Sequence, residues 1–529
     1  MTAPEPLPTA PLAAAQGAPI ARHERATTRW ERLRDRMLLD AEWSAIVRWA
    51  APFTVTIVAA FLRLVNVGHP HQLAFDETYY VKDAWSLWTL GYEGTWGEGA
   101  DEAFTTLQQL PLSDTGAFIV HPPLGKWLIA LGMAVGGPDD SMGWRLATGI
   151  LGTVSVLLVY LIARLLSGSI VVATVAGGLL AIDGLSIVLS RIALLDGILT
   201  FFVLLGVLCV LLDRRRVIPL LERDDPDRTD PLWGRVLWRR PWLLAAGVAL
   251  GAACAVKWSG LYALAGLGLY IVVTDALARR RAGIVLWPTD AALRQGPVSF
   301  LLLVGPAALT YLASWTGWLV TAGGYDRDSD PNPLVALWNY HQSMYGFHVG
   351  LTKGHPYASA AWEWPFLLRP TAVWVASDPA PCGTDHCIAV ISAIPNPLIW
   401  WAGVAASVFL LVLLVRGALR HAPVGPAVSV PLVGLAVTYV PWLLFPDRTI
   451  FQFYTVVMMP FLVLALVEAL RRVAGRPDDP LPRRQAGQRT VAVFLVVAVL
   501  VSAFFLPSWT GMSVPYPFWL AHNWLPGWV

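Results

Sequence analysis

The stretch Ala74–Trp85 reads AFDETYYVKDAW and begins nine residues after an apolar run ends near residue 65. It sets two adjacent carboxylates, Asp76 and Glu77, close to the end of that run, followed by a tyrosine pair and a lysine. What surrounds these acids decides the fold. Of 529 residues, 56% are hydrophobic and only 14% are charged, where soluble chains carry about 25% charged residues. A membrane-spanning helix needs about 20 predominantly apolar residues. Eleven runs read as spans, near 46–65, 143–166, 170–188, 194–212, 241–256, 259–276, 297–320, 397–415, 425–445, 450–470 and 490–507. The third and fifth are the weakest, being short or interrupted by polar residues. The chain reads as an all-α integral membrane protein with about 11 transmembrane helices.

Arginines orient it. The first residues, MTAPEPLPTAPLAAAQGAP, are rich in Ala and Pro and read as disordered. They lack the basic, apolar and cleavage regions of a signal peptide. The basic run Arg22 to Arg36 follows and holds the N-terminus in the cytoplasm. Residues 1–40 are therefore set apart as a disordered, basic cytoplasmic tail. The loops 213–240, 277–296, 416–424 and 471–489 then fall on the same side. They carry most of the remaining arginines, in the positive-inside pattern. An odd number of spans puts the C-terminus on the extracytoplasmic side, and 26 tryptophans suit interfacial belts.

Two outer segments, 66–142 and 321–396, are too long to be simple connections. Both are rich in aromatic residues, and they read as ordered loops that wall a site. Leu124, Trp127, Leu128, Leu131 and Val135 form one helical stripe, as in a helix lying on a membrane surface. In the second loop Cys382 and Cys387 flank GTDH. A disulfide there needs an oxidising compartment, and a metal site would be short of ligands. No repeat, Walker motif, HExxH or separate soluble domain is present.

The four lysines of the chain, Lys82, Lys126, Lys257 and Lys353, all map to the outer face, as do Arg145, Arg191, Arg327, Arg369 and Arg448, with Arg63 near the outer end of the first span. Charges at span ends are expensive unless they have a partner or a function. Adjacent Asp76 and Glu77 cannot face the same way on a helix. One suits a general base and the other a partner for a cation, although Asp76 also fits a simple helix N-cap. In VHPPLGKW, Lys126 reads either as a phosphate contact or as a snorkelling lysine at a helix start. Arg191 and Asp196 sit where the fourth span begins, and Lys257 sits in a turn. The stretch NYHQSMYGFHVGLTKGHPYASAAWEWP adds His341, His348, His355 and Glu363. A ring of cations with a few acids at membrane depth suits a lipid phosphate.

FDETYY, HPPLGKW, RIALLDG, AVKWSGLY and HPYASAAWEWP, in that order, resemble the protein O-mannosyltransferases of the GT-C superfamily, in particular the bacterial ones. The resemblance runs from about Arg63 to Arg448, without the β-trefoil domain that fungal and animal members insert in the second long loop. It implies that residues 41–529 form one polytopic catalytic domain in a bacterial plasma membrane, with its site on the extracytoplasmic face. It implies a polyprenyl-phosphate-mannose donor, Ser or Thr acceptors in secreted or translocating proteins, and inversion at the sugar carbon. Asp76 matches the family's base and Glu77 its acidic neighbour. Arg63 and Arg145 match basic residues tied to activity, with Arg145 as a phosphate ligand, and Asp196 matches an acid in a short outer loop. Lys126, Arg191 and Lys257 extend the donor-binding set; His121, His348, His355, Glu363 and Arg448 extend the donor and acceptor loop. No cofactor is required, since cations of the chain can stabilise a leaving phosphate, but a divalent ion at Asp76, Glu77 and Asp196 stays open, as does a translocon partner. Rival readings are a GT-C transferase moving arabinose or aminoarabinose, and a transporter, which should show repeat symmetry.

Overall fold

The computed structural model describes residues 27–106, 110–222 and 231–528. Among these, eight helices are long and apolar enough to cross a membrane; a ninth crossing is a helix pair, Ile170–Ala181 and Gly184–Arg191, bent by 59°. The other two expected spans are helical but short. Pro241–Val256 has 16 residues and Met459–Val473 has 15, or about 22–24 Å at 1.5 Å per residue. Met459 to Glu468 is buried without interruption, so this helix is a central strut with neighbours on all sides.

Two expectations need correction. The chain is not wholly α: three two-stranded pairs join Gly94–Trp96 to Leu112–Gly116, Thr371–Val375 to Val390–Ala393, and Cys387–Ile388 to Val514–Pro515. They lie in the long loops and the C-terminal segment, where backbone groups outside helices still need partners. The basic tail is not disordered throughout, because Arg29–Leu39 is a helix. Its first turn is closed reciprocally by Thr28 and Glu31, a pattern worth about 1 kcal/mol. The Ala- and Pro-rich residues before it lie outside the described residues.

The bent crossing shows how buried arginines serve as scaffolding. Its break frees carbonyls, which cannot stay unpaired at membrane depth. Arg63, fully buried on the helix Ala41–Leu64, donates to Leu180 O at 3.1 Å, Ala181 O at 3.0 Å and Ser186 Oγ at 2.8 Å. Asp183 then caps the second half through the Ser186 N–H. Gly184 is required there because a Cβ would run into the Trp509 ring. Arg191, ending that half, donates to Leu62, Val65 and Asn66 carbonyls at the C-terminal end of the Ala41–Leu64 helix.

The two long loops close over one another. The Tyr340 hydroxyl accepts from Ile119 N–H and donates to Ile119 O, both at 2.9 Å. Trp374 Nε1 donates to Gln72 Oε1 at 2.9 Å. The stripe Leu124, Trp127, Leu128, Leu131 and Val135 lies on the helix Leu124–Gly136, but it is the face that the protein leaves half-buried or open. The packed face is Gly125, Lys126, Ile129, Ala130, Gly132 and Met133. Cys382 and Cys387 are joined as a disulfide.

At the opposite end of the bundle, Asp213, Arg214, Arg240 and Asp275 form a buried ring linking three helices. Asp213→Ala would leave Arg240 without its 2.6 Å partner. Breaking such a pair costs about 3–5 kcal/mol, so we expect a clearly lower denaturation temperature for the solubilised variant. An unchanged melting curve would refute the structural role of the ring.

Candidate active site

Asp76 and Glu77 divide their work by geometry. Both belong to the start of the helix Glu77–Leu90, with Asp76 at the capping position. Phe75, just before, has φ +52°, a left-handed conformation that costs a bulky residue energy. Adjacent positions at a helix start point the two acids in different directions. Glu77 is fully buried and accepts from Arg145 Nε at 2.8 Å and Nη2 at 2.7 Å, from Ala74 N–H at 2.8 Å and from Ala193 N–H at 2.7 Å. Asp76 makes no side-chain cap, so the simple N-cap reading fails, and its carboxylate has no hydrogen-bond partner among the described residues.

What faces Asp76 is a built charge pair. Lys257 Nζ donates to both oxygens of Asp196 at 2.9 Å and stands 4.2 Å over the Tyr454 ring. Burial pushes the Asp76 carboxyl up to about 6, with Lys257 opposing the rise and Asp196 adding to it. The walls are aromatic: Phe75 packs on Phe453, Phe453 on Tyr454, and Tyr454 on Trp442.

A further cation, Arg448, is set among two histidines. Arg448 lies 5.5 Å over Trp442 and donates from Nη2 to His348 Nδ1 at 3.0 Å. His348 uses Nε2 on the Val120 carbonyl at 2.8 Å, which sets a neutral tautomer. Burial, together with Arg448, holds it down to about 4. His121 packs at a tilt against His348 with ring centroids 5.3 Å apart and has a buried, unpaired Nδ1. Burial lowers its basicity, reinforced by Lys257, His348, Lys126 and Arg448. Arg448 has no carboxylate within ion-pair distance among the described residues, so its charge is available to an anion.

Several expected donor ligands therefore have other work. Arg63 pins the bent crossing. All five N–H groups of Arg145 go to Glu77 and to the carbonyls of Val67, Pro70 and Gln72. Arg191 caps the first long helix. Lys126 is fully buried on Glu93 at 2.5 Å and on the His121 carbonyl at 3.0 Å, so it fixes the His121 turn and does not reach for phosphate. Glu363 closes its own turn through Ala360 N–H and Ser359. His355 packs on Phe75 and Phe451. Among the described residues no three His, Cys, Asp or Glu side chains converge as metal ligands; Glu77 turns onto Arg145, away from any site shared with Asp76 and Asp196. Tyr454, Trp442, Phe75 and Trp258, which packs on His348, were missed in sequence. For Tyr454 the aromatic density of FPDRTIFQFY was the available signal.

Two family models cover most of the chain: dolichyl-phosphate-mannose-protein mannosyltransferase over residues 112–287, and the C-terminal four-transmembrane region of protein-O-mannosyltransferase over residues 333–528. A polyprenol-phosphate-mannose–protein mannosyltransferase of Mycolicibacterium smegmatis is 33% identical over 91% of this chain and 93% of its own length. The chain belongs to the protein O-mannosyltransferase family. A relative from Mycobacterium tuberculosis is 32% identical over 91% of this chain and 92% of its own. The Saccharomyces cerevisiae protein O-mannosyltransferase Pmt1-Pmt2 complex, solved with its sugar donor, shares the fold at a TM-score of 0.70. Its sequence identity is 16%, over 91% of this chain and 92% of that one. The chain is thus a membrane-embedded glycosyltransferase with the fold of that complex.

The contrast between scaffold and site arginines is testable by thermal denaturation. Arg145→Met strands the buried Glu77 carboxylate and should cost about 3–5 kcal/mol. Arg448→Gln should cost about 1 kcal/mol. Equal losses would overturn the division.

Proposed function

We propose that this chain transfers mannose from polyprenyl-phosphate-mannose to Ser or Thr hydroxyls of secreted proteins, at the outer face of a bacterial plasma membrane. The arginine-rich loops favour a cytoplasmic N-terminus and eleven membrane passes, the two short helices completing theirs with neighbouring turns, and an extracytoplasmic C-terminus. The observation that carries the reading is the unpartnered Asp76 carboxylate, set beside the Lys257–Asp196 pair and the free charge of Arg448.

The chemistry follows from that arrangement. The acceptor hydroxyl oxygen attacks the anomeric carbon of mannose while Asp76 takes its proton. The bond from that carbon to the phosphate oxygen breaks, and the electron pair leaves on the polyprenyl phosphate. Arg448, held by His348, and Lys257 stabilise the negative charge that develops there. Asp196 keeps Lys257 in place. Attack opposite the leaving group inverts the sugar carbon. Glu77 is a positioning residue: through Ala74, Ala193 and Arg145 it fixes the turn from which Asp76 projects. The aromatic wall excludes water, which would otherwise compete with the hydroxyl.

Asp76→Asn is expected to retain expression and fold and to lose about 10²–10⁴-fold in transfer to a Thr-containing peptide; full activity would sink the base assignment. A base acts when deprotonated, and Asp76 is held up to about 6. Thus kcat/KM should climb with pH through about 6 and level off above it. A profile flat from pH 5 to 8, roughly one unit below to two above that value, would contradict this assignment.

A further inference from the structure

The mechanism leaves unused a groove of about 750 Å³ that does not include Asp76. It runs along the outer end of the helix Ala41–Leu64 and on through Gln72, and is bounded by the segments 374–380 and 506–513. Its chemistry is mixed and close to neutral. Phe61, Val65 and Met512 offer exposed apolar surface, while Asn66, Gln72 and Ser377 add hydrogen-bonding groups. Its charged lining residues are Arg191 and Asp378, one of each sign. The terminal nitrogens of Arg191 already donate to the Leu62, Val65 and Asn66 carbonyls. An anionic lipid headgroup would find no free cation there, in contrast to the Arg448 side of the site.

The groove is tied to the base in two ways. Gln72 precedes Asp76 by four residues, so the groove wall begins within about 14 Å of it at 3.3–3.6 Å per residue. Arg145 binds the carbonyls of Val67, Pro70 and Gln72 and also Glu77, so wall and catalytic turn share one anchor. Trp374 braces the same wall through Gln72. An extended polypeptide with its hydroxyl at Asp76 would reach this wall with a residue about four positions away.

We propose that this groove binds the acceptor polypeptide as an extended segment, free of acidic residues, flanking the modified Ser or Thr; the inference rests on the mannosyl transfer proposed above. With the terminal nitrogens of Arg191 spent on carbonyls and Asp378 exposed in the lining, the groove disfavours acidic flanks, because a carboxylate entering it would lose water without gaining a cation. Acceptors with small and apolar residues beside the modification site fit best.

Two measurements on the full chain in membranes test this. The first fills the groove with Ser377→Trp and, separately, Met512→Trp. The KM for a peptide of about nine residues with one central Thr should rise about tenfold, equivalent to 1.4 kcal/mol, while the KM for polyprenyl-phosphate-mannose stays fixed. An unchanged peptide KM in both variants overturns the proposal. A rise in donor KM instead also overturns it and makes the groove a lipid site. The second measurement does not depend on turnover. Ser377→Cys and Met512→Cys are challenged with a peptide carrying an activated thiol at varied distance from the Thr. Mixed disulfides should form with the thiol about four residues from the Thr and not with the thiol next to it; none at either position overturns the groove. Mixed disulfides in a chain whose parent transfers no mannose would refute the mannosyl reading and leave the groove standing.

Discussion

The guanidinium of Arg145 gives two N–H groups to Glu77 and three to the carbonyls of Val67, Pro70 and Gln72. Both partners of this ion pair are fully buried, and taking two charges out of water costs several kcal/mol per ion. Only complete pairing offsets that cost. The remaining capacity of Glu77 goes to the Ala74 and Ala193 N–H groups. One contact thereby joins the loop 66–75, the helix that begins at Glu77 and the entry to the helix Leu195–Glu222. Asp76 faces Asp196 and Lys257 because this junction is rigid.

The same physics recurs at Arg63 and Arg191. Where a helix breaks or ends inside a membrane protein, freed carbonyls have no water to turn to. An arginine with five donors satisfies several at once. These cations are structural because their terminal nitrogens are spent on carbonyls and, for Arg63, on the Ser186 hydroxyl. Arg448 differs: it rests on an aromatic ring and a neutral histidine, neither of which cancels its charge. Lys257 differs again, since Asp196 holds it in place while it remains beside Asp76. Available charge, and not charge alone, separates the site from the scaffold.

Much of the architecture was legible in the sequence, because apolar run length reports directly on membrane passage. All eleven runs fell on helices. Two are short, and of these Met459–Val473 is an internal strut, buried from Met459 to Glu468 among neighbours that composition does not encode, while Pro241–Val256 keeps exposed apolar residues such as Leu244 and Val248. The three small strand pairs went unseen because two to five residues carry no periodicity. The site was partly legible: Asp76 with Glu77, Asp196 with Lys257, and His348 with Arg448 all lie in motifs that stand out. The misread residues share one cause. Arg63, Arg145, Arg191 and Lys126 were expected to meet the donor, but their hydrogen-bond partners come from segments up to 129 positions away.

By itself the sequence determined a polytopic helical membrane protein and its family, and singled out the acid pair Asp76 and Glu77, because span length and short motifs are local properties. Only the tertiary structure decided which cations lack a carboxylate partner, which acid is spent on scaffolding, and that a groove of mixed polar and apolar lining runs beside the turn that carries Asp76. Those depend on which side chains the packed helices bring within 3 Å of one another, and on the high cost of leaving any buried charge or carbonyl without a partner.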